Sequence, residues 1–93
     1  MSTRSEATGT PTVNQPLTEG EYRERLRDLP PSAKLVAKVL ETDGPLTHAT
    51  LAEETLLPDR TVRYALERLA GTELIESRLS FRDARKRLYY LRT

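Results

Sequence analysis

The sequence predicts a small α+β domain that is mainly helical, with four helices followed by a C-terminal β-hairpin. Apolar residues recur at helical spacing in four segments, and Pro, Gly or Thr separates each segment from the next. After Gly71 the period of the apolar residues changes to two, which is typical of a strand. A length of 93 residues fits one such domain.

Residues 1–16 are predicted to form a flexible tail. Their only large apolar side chains are Met1 and Val13, and Ser, Thr, Pro and other small or polar residues make up most of the rest. Such a segment buries too little surface to offset the entropy lost on ordering. We therefore expect the folded domain to occupy residues 17–93.

The first two helices have local start and stop signals. Thr18 and Glu21 have the spacing of a capping box, which predicts a helix to about Asp28. Pro30-Pro31 ends this helix, and Ser32 is the predicted cap of a second helix from Ala33 to about Thr42. The apolar positions are Tyr22, Leu26 and Leu29 in the first helix, and Leu35, Val36, Val39 and Leu40 in the second.

The next two helices are joined by a short connection. Thr47 is the predicted cap of a helix from His48 to Thr55. The fourth helix covers about 58–70, with either Pro58 in its first turn or Asp59 as its cap. Gly71 is the expected stop. The inward positions are Leu51 and Ala52 in the third helix, and Val62, Ala65, Leu66 and Leu69 in the fourth.

The hairpin follows as two short strands around a polar turn at 82–86. Its return strand is predicted from Arg87 to Arg92, where Leu88 and Tyr90 face opposite to Tyr89 and Leu91. The first strand is expected to turn one face to the core, formed by Ile75, Ser77, Leu79 and Phe81.

Composition excludes several classes of protein. Without Cys there is no disulfide framework, no Cys nucleophile and no iron–sulfur cluster, and a single His leaves little for a zinc site. No catalytic pattern surrounds His48, so we expect neither an enzyme nor a cofactor or metal. No run of about 18 apolar residues predicts a spanning helix, and we expect a soluble, cytoplasmic protein.

Charge is unevenly distributed along the chain. Residues 17–57 carry a net charge of −3, whereas residues 58–93 carry +4. The overall net charge of +1 therefore hides a basic C-terminal half. Such an asymmetry indicates an anionic partner at that half.

Two motifs carry a resemblance to a known family. The segment 47–63 resembles the helix-turn-helix of bacterial and archaeal regulators, with Leu51-Ala52, Leu57 and Thr61-Val62-Arg63 at favoured positions. Together with the hairpin, this segment has the order of elements of a winged helix-turn-helix. Asp83-Ala84-Arg85, followed by Leu91 and Thr93, is similar to the Asp-x-Arg wing of MarR-type regulators, and the chain looks most like the small archaeal members.

The resemblance also has two departures. MarR-type proteins usually have helices beyond the wing that build their dimer, whereas this chain stops at Thr93, so we expect a dimer built differently. Leu56 stands where the turn often has Gly, and a left-handed Leu costs about 1 kcal/mol or more.

DNA binding is the function that these patterns predict. Arg60, Arg63 and Tyr64, in the first turns of the fourth helix, are the predicted base contacts in the major groove. The predicted backbone contacts are Thr47, His48, Thr61, Arg68, Arg82, Lys86 and Arg87. The simpler alternative for each cation is a solvated surface charge, and His48 in particular fits a plain surface residue.

The wing residues have roles that the MarR resemblance implies. In that family the wing Arg enters the minor groove and the Asp orients it, which assigns these roles to Arg85 and Asp83. A narrow minor groove concentrates negative potential and attracts such an Arg. An ordinary charged turn is the alternative.

We therefore predict a sequence-specific regulator that binds double-stranded DNA, with helix 58–70 in the major groove and wing 82–87 at the minor groove. Many such proteins act as homodimers. Tyr22, Leu26 and Leu29 are the candidate dimer interface, although the same residues would also fit the monomer core. The alternative function is a winged helix that serves as a protein-interaction module in a transcription or processing assembly.

Overall fold

The computed structural model describes residues 16–92, so the predicted tail, apart from Pro16, lies outside the described residues. The four predicted helices and the hairpin are confirmed, and a short strand is added to them. The elements are α1 (Glu19–Arg27), α2 (Pro31–Asp43), β1 (Leu46–Thr47), α3 (His48–Thr55), α4 (Asp59–Gly71), β2 (Ile75–Leu79) and β3 (Arg87–Leu91).

The predicted capping box of α1 is confirmed. The Oγ1 of Thr18 accepts the Glu21 N–H at 3.1 Å, and Glu21 Oε1 accepts the Thr18 N–H at 3.0 Å. The bond from the Thr18 N–H first, and then one from the Thr18 side chain, holds the pKa of the Glu21 carboxyl below its usual value. The predicted Ser32 cap of α2 is wrong, because the helix already begins at Pro31. Proline suits a first helical position, where its missing N–H has no helical acceptor.

The ends of α4 also differ from the prediction. Pro58 occupies the cap position and Asp59 is the first helical residue, so neither predicted alternative is correct. Gly71 lies inside the helix, and Glu73 takes the left-handed conformation at φ 62°. The Leu74 N–H bonds the Leu69 carbonyl and the Glu73 N–H bonds the Ala70 carbonyl, which is a Schellman motif.

The core lies where α2, α3 and α4 meet. The predicted inward stripe of α4 is confirmed in full, since all four of its residues are buried. In α2 the buried positions follow i, i+3, i+4, i+7 from Ala33 to Leu40, while Leu35 points outward and is 41% exposed. The buried core residues are Tyr22, Leu29, Ala33, Val36, Ala37, Leu40, Leu51, Val62, Ala65, Leu66, Leu69, Leu74 and Ile75.

Two of the three predicted dimer residues belong to this core. Tyr22 is 7% exposed and Leu29 is 6% exposed within a single chain, so both side chains pack mainly in the monomer core. Only Leu26 of that set is half-buried. Burial, and then the charge of Glu41, raises the pKa of the Tyr22 hydroxyl.

The three strands form an antiparallel sheet in the order β1-β3-β2. The strand β1, which the sequence did not predict, pairs Leu46 with Tyr89 and Thr47 with Leu88. Tyr89 and Leu91 pack against the core. The predicted core face of β2 is wrong beyond Ile75, because the hairpin extends away from the helices and leaves Ser77 and Leu79 exposed.

A cluster of ion pairs fastens α1 to the end of α4 and to the last strand. Arg25 donates to the Thr72 carbonyl at 3.1 Å. Arg92, whose side chain is 9% exposed, lies 3.0 Å from Glu76 and 3.6 Å from Glu73. A buried guanidinium held by two carboxylates fixes the base of the hairpin. No helix within residues 16–92 is long and apolar enough to cross a membrane.

Candidate nucleic-acid interface

The helix α4 has two sharply different faces. Val62, Ala65 and Leu69 are fully buried, which fixes the rotation of the helix about its axis. The opposite face is exposed and polar, and it comprises Arg60, Arg63, Tyr64, Glu67 and Arg68. The packing of α4 therefore turns three arginines outward.

Two of these arginines have no internal partner. Among residues 16–92, neither Arg60 nor Arg63 forms a hydrogen bond, an ion pair or a ring contact through its side chain. Both lie in the first turns of α4, where the helix dipole already favours an anion. Their guanidinium groups are thus free to bind a group from outside the chain.

The third arginine is held differently. Arg68 donates to the Tyr64 hydroxyl at 2.7 Å, and its guanidinium carbon lies 5.7 Å from the centre of the Tyr64 ring. The pair is an i, i+4 contact on the exposed helix surface. Arg68 therefore positions Tyr64, whereas Arg60 and Arg63 hold no neighbour in place.

The start of α3 is tied to the start of α4. Thr47 Oγ1 accepts the Thr50 N–H at 3.2 Å and so caps α3 as predicted. His48 Nε2 lies 3.2 Å from the Asp59 carbonyl oxygen, within hydrogen-bonding distance. His48 therefore links the start of α3 to the first residue of α4. Thr61, in the first turn of α4, is half-buried.

The hairpin tip is an ordered turn. The Ser80 N–H donates to the Lys86 carbonyl at 2.9 Å, and the Lys86 N–H donates to the Asp83 carbonyl at 2.9 Å. Asp83 Oδ1 accepts the Arg85 N–H at 3.0 Å and lies 3.3 Å from Arg85 Nε. The Arg85 backbone bond first, then its side chain, holds the pKa of Asp83 below its usual value.

The tip concentrates positive charge. The Arg85 side chain is 92% exposed although Asp83 orients it. Within residues 16–92 the exposed side chains of Arg82 and Lys86 form no hydrogen bond and no ion pair, although the charge of Lys86 acts on Asp83. Arg87 donates to Ser77 Oγ at 3.1 Å. Four cations against one carboxylate leave a cationic tip.

Solved structures share this arrangement of helices and hairpin. BpsR of Bordetella bronchiseptica, whose DNA binding is regulated by 6-hydroxynicotinic acid, aligns with a TM-score of 0.67 and 23% identity over 77% of this chain and 53% of its own. The zinc-responsive MarR family member ZitR of Lactococcus lactis aligns at 0.63 and 28% identity, over 69% of this chain and 44% of its own. A DNA-bound MepR mutant of S. aureus aligns at 0.64 and 19% identity, over 78% and 56%.

This chain has the fold of a MarR-type winged helix. No family model matches its sequence, and no curated protein sequence matches it either. The chain spans about half of the length of these solved regulators. In this fold α4 is the recognition helix and the hairpin β2–β3 is the wing.

Two apolar residues of the winged helix are much more exposed than its other large apolar side chains within residues 16–92. Phe81, at the wing tip, is 99% exposed, and Leu56, between α3 and the recognition helix, is 88% exposed. The predicted core position of Phe81 is therefore wrong. The run of cations that begins directly after Phe81, with Arg82, Arg85 and Lys86, was the available signal.

One open groove lies away from the wing, between α1 and α2. Its volume is about 670 Å³, and its lining includes both charge signs. The lining residues are Glu19, Tyr22, Arg23, Leu26, Arg27, Lys34, Lys38 and Glu41. Within residues 16–92 no cluster of His or carboxylate side chains has the composition of a metal site.

Proposed function

We propose that this protein is a transcriptional regulator that binds double-stranded DNA, with the recognition helix in the major groove and the wing tip at the minor groove. The observation that carries the proposal is the pair of outward, partnerless guanidinium groups of Arg60 and Arg63 on a helix whose other face is fully buried. An α-helix fits the major groove, and Arg binds guanine O6 and N7 through two parallel hydrogen bonds.

The wing supplies the second half of the proposal. Its tip presents Arg85, oriented by Asp83 and 92% exposed, between the exposed cations Arg82 and Lys86. A guanidinium on a narrow turn fits the width and negative potential of a minor groove. The flanking cations suit the phosphates on either side. Two separate cationic elements favour DNA over a protein partner.

The solved neighbours support the same partner. The MepR mutant and AbfR, the latter with a TM-score of 0.62 and 22% identity, are both described bound to DNA. The proposal extends that property to this chain through the shared fold and the cations described above. The cytoplasm is then the expected location, and the likeness to small archaeal proteins stays a prediction of the sequence.

The test is the salt dependence of binding to a labelled random-sequence duplex, measured by fluorescence anisotropy. If Arg82, Lys86 and Arg87 each neutralise one phosphate, these three contacts alone contribute about −2.7 per protomer to the log–log slope. Lys86→Ala should reduce the slope by about 0.9. Thr42→Glu is the matched control, since Thr42 is exposed on α2 outside the groove and the change also lowers the net charge by one, so the slope should stay unchanged.

The outcomes separate the candidate functions. A steep slope that falls only with Lys86→Ala supports DNA binding through the wing. Equal effects of Lys86→Ala and Thr42→Glu would mean that only overall charge matters. Absence of binding at low salt would overturn the proposal and favour the protein-interaction module.

We further propose that the protein binds DNA as a homodimer through the groove between α1 and α2. The groove contains Leu26 and both charge signs, with Arg23, Lys34 and Lys38 near Glu19 and Glu41. A surface that meets its own copy across a two-fold axis must be self-complementary, and mixed charges satisfy this condition.

Sedimentation equilibrium should give a concentration-dependent dimer, which the charge reversal Lys34→Glu weakens. A monomer at all concentrations would exclude this interface.

A further inference from the structure

Phe81 is the most exposed large apolar side chain within residues 16–92. It is 99% exposed, compared with 88% for Leu56 and 52% for Leu79. An aromatic ring loses favourable burial when it stands in water, and it dominates the energetics of an interface when it is covered. Its position therefore indicates a surface that is completed by a partner.

The backbone holds the ring in a defined place. The Ser80 N–H donates to the Lys86 carbonyl at 2.9 Å, so strand pairing continues one step past Leu79 and Arg87. On the other side of the ring, the Arg82 N–H donates to Ser80 Oγ at 3.1 Å. Phe81 thus lies on a closed turn and not on a slack loop, which lowers the entropy lost when the ring is covered.

The charges around the ring identify the partner. Within residues 16–92 the side chains of Arg82 and Lys86 form no hydrogen bond and no ion pair, and the side chain of Arg85 is 92% exposed. A partner must therefore present anions on the outside and a flat apolar surface between them. Duplex DNA has this arrangement, because phosphates flank the minor groove and the base pairs form the stacked surface within it.

We propose that Phe81 is a wedge that enters the minor groove beside Arg85 and partly unstacks one base step, which bends the duplex toward the major groove. This inference rests on the proposed DNA-binding function. Apolar wedges of this kind widen a base step and kink DNA. The sequence preference follows from the deformability of the step, since TA steps unstack easily whereas A-tracts are stiff.

The test needs no knowledge of the operator. One duplex is built of repeated TA steps with 2-aminopurine in place of some adenines, and a second contains an uninterrupted A-tract. Unstacking raises 2-aminopurine fluorescence, and energy transfer between dyes at the two ends reports bending. Wild-type protein should raise the fluorescence, shorten the end-to-end distance and bind the TA duplex more tightly than the A-tract duplex.

Three variants isolate the ring. Phe81→Ala should abolish the fluorescence rise and the bend, and should weaken binding to the TA duplex by about 3- to 10-fold, because lost stacking exceeds the saved unstacking. Phe81→Leu keeps an apolar wedge and should retain part of both signals. Leu79→Ala, at a less exposed apolar position at the end of β2, should give the same DNA binding, fluorescence rise and bend as wild type. Since Phe81 touches little of the fold, all variants should melt as wild type does.

Each outcome decides between the inference and the function on which it rests. If wild type binds neither duplex, the proposed function fails. If wild type binds but Phe81→Ala keeps the fluorescence rise and the bend, DNA binding stands and the wedge is refuted. If Phe81→Ala binds DNA normally but loses affinity for vesicles containing anionic lipid, the ring serves a membrane surface and the wedge is likewise refuted.

Discussion

Replacing Leu56 by Gly should stabilise the protein. Leu56 ends α3 in the left-handed conformation, with φ 62° and ψ 22°. A side chain with a Cβ is strained there by about 1–2 kcal/mol, whereas Gly adopts this conformation freely. The backbone bond from the Leu56 N–H to the Ala52 carbonyl, at 2.9 Å, does not depend on the side chain.

The size of the effect follows from exposure. Because Leu56 is 88% exposed, removing its side chain loses little burial, on the order of a few tenths of a kcal/mol. Gly also gains about 0.5–1 kcal/mol of freedom in the unfolded chain, which opposes the relief of strain. At the midpoints of these ranges the net stabilisation is about 0.5 kcal/mol. In a domain of this size that raises the melting temperature by about 2–4 °C.

Thermal melting by circular dichroism measures this shift, and Leu56→Ala is the matched control. Ala keeps the Cβ and therefore the strain, so its melting temperature should stay near that of wild type. If the Ala and Gly variants were stabilised equally, the benefit would come from removing an exposed apolar side chain. If Gly lowered the melting temperature, the entropy that Gly gains in the unfolded chain would outweigh the left-handed strain at this turn, and the reasoning would be refuted.

Three further outcomes follow from the interface and the caps. Arg85→Ala should weaken DNA binding and reduce the salt slope by about one without changing the melting temperature, and early melting would show that Arg85 is structural. Arg63→Ala should relax the base preference at one or two positions in a selection from randomised duplexes, and an unaltered selected site would exclude base reading. Glu21→Gln should flatten the acid limb of stability: the lowered pKa of Glu21 gives stability that is present above its unfolded pKa and is lost as pH falls through the folded value. Urea unfolding between about pH 5 and pH 3 measures this difference, and equal losses in both proteins would contradict it.

Local signals predicted the helices because each depends on neighbouring residues. The hydroxyls of Thr18 and Thr47 cap α1 and α3 as expected, and the stripe from Val62 to Leu69 is buried in full. The Ser32 cap failed because a competing local signal, Pro31 at a first helical position, starts α2 earlier. The capping rule and the proline rule both apply to this turn, but they predict different first residues for α2.

Tertiary features were harder to predict. Two residues cannot show a period, so β1 was invisible until its partner β3 was in place. Alternation in β2 separates two faces of a strand, but it does not say whether other parts of the chain cover either face, and Phe81 stays almost fully exposed. The apolar face of α1 likewise fits an interface or a core face, and the position of α2 decides that Tyr22 and Leu29 are core.

For the candidate interface, the sequence placed the arginines on the outer face of α4 because the buried stripe dictates the opposite side. The sequence could not predict which of these arginines is held by another side chain of the protein. Arg68 is held by Tyr64 through a rotamer choice that spacing permits but does not impose. Arg60 and Arg63 lie on the same exposed face of α4, but their side chains form no such contact within residues 16–92.

Thr47 belongs to two structures at once. Its backbone pairs with Leu88 in the sheet, and its hydroxyl caps α3. A single residue thus ties the start of the helix-turn-helix to the last strand of the wing, and none of the residues from Ser80 to Lys86 takes part in that tie. The register between the sheet and α3 is therefore set separately from the sequence of the wing tip.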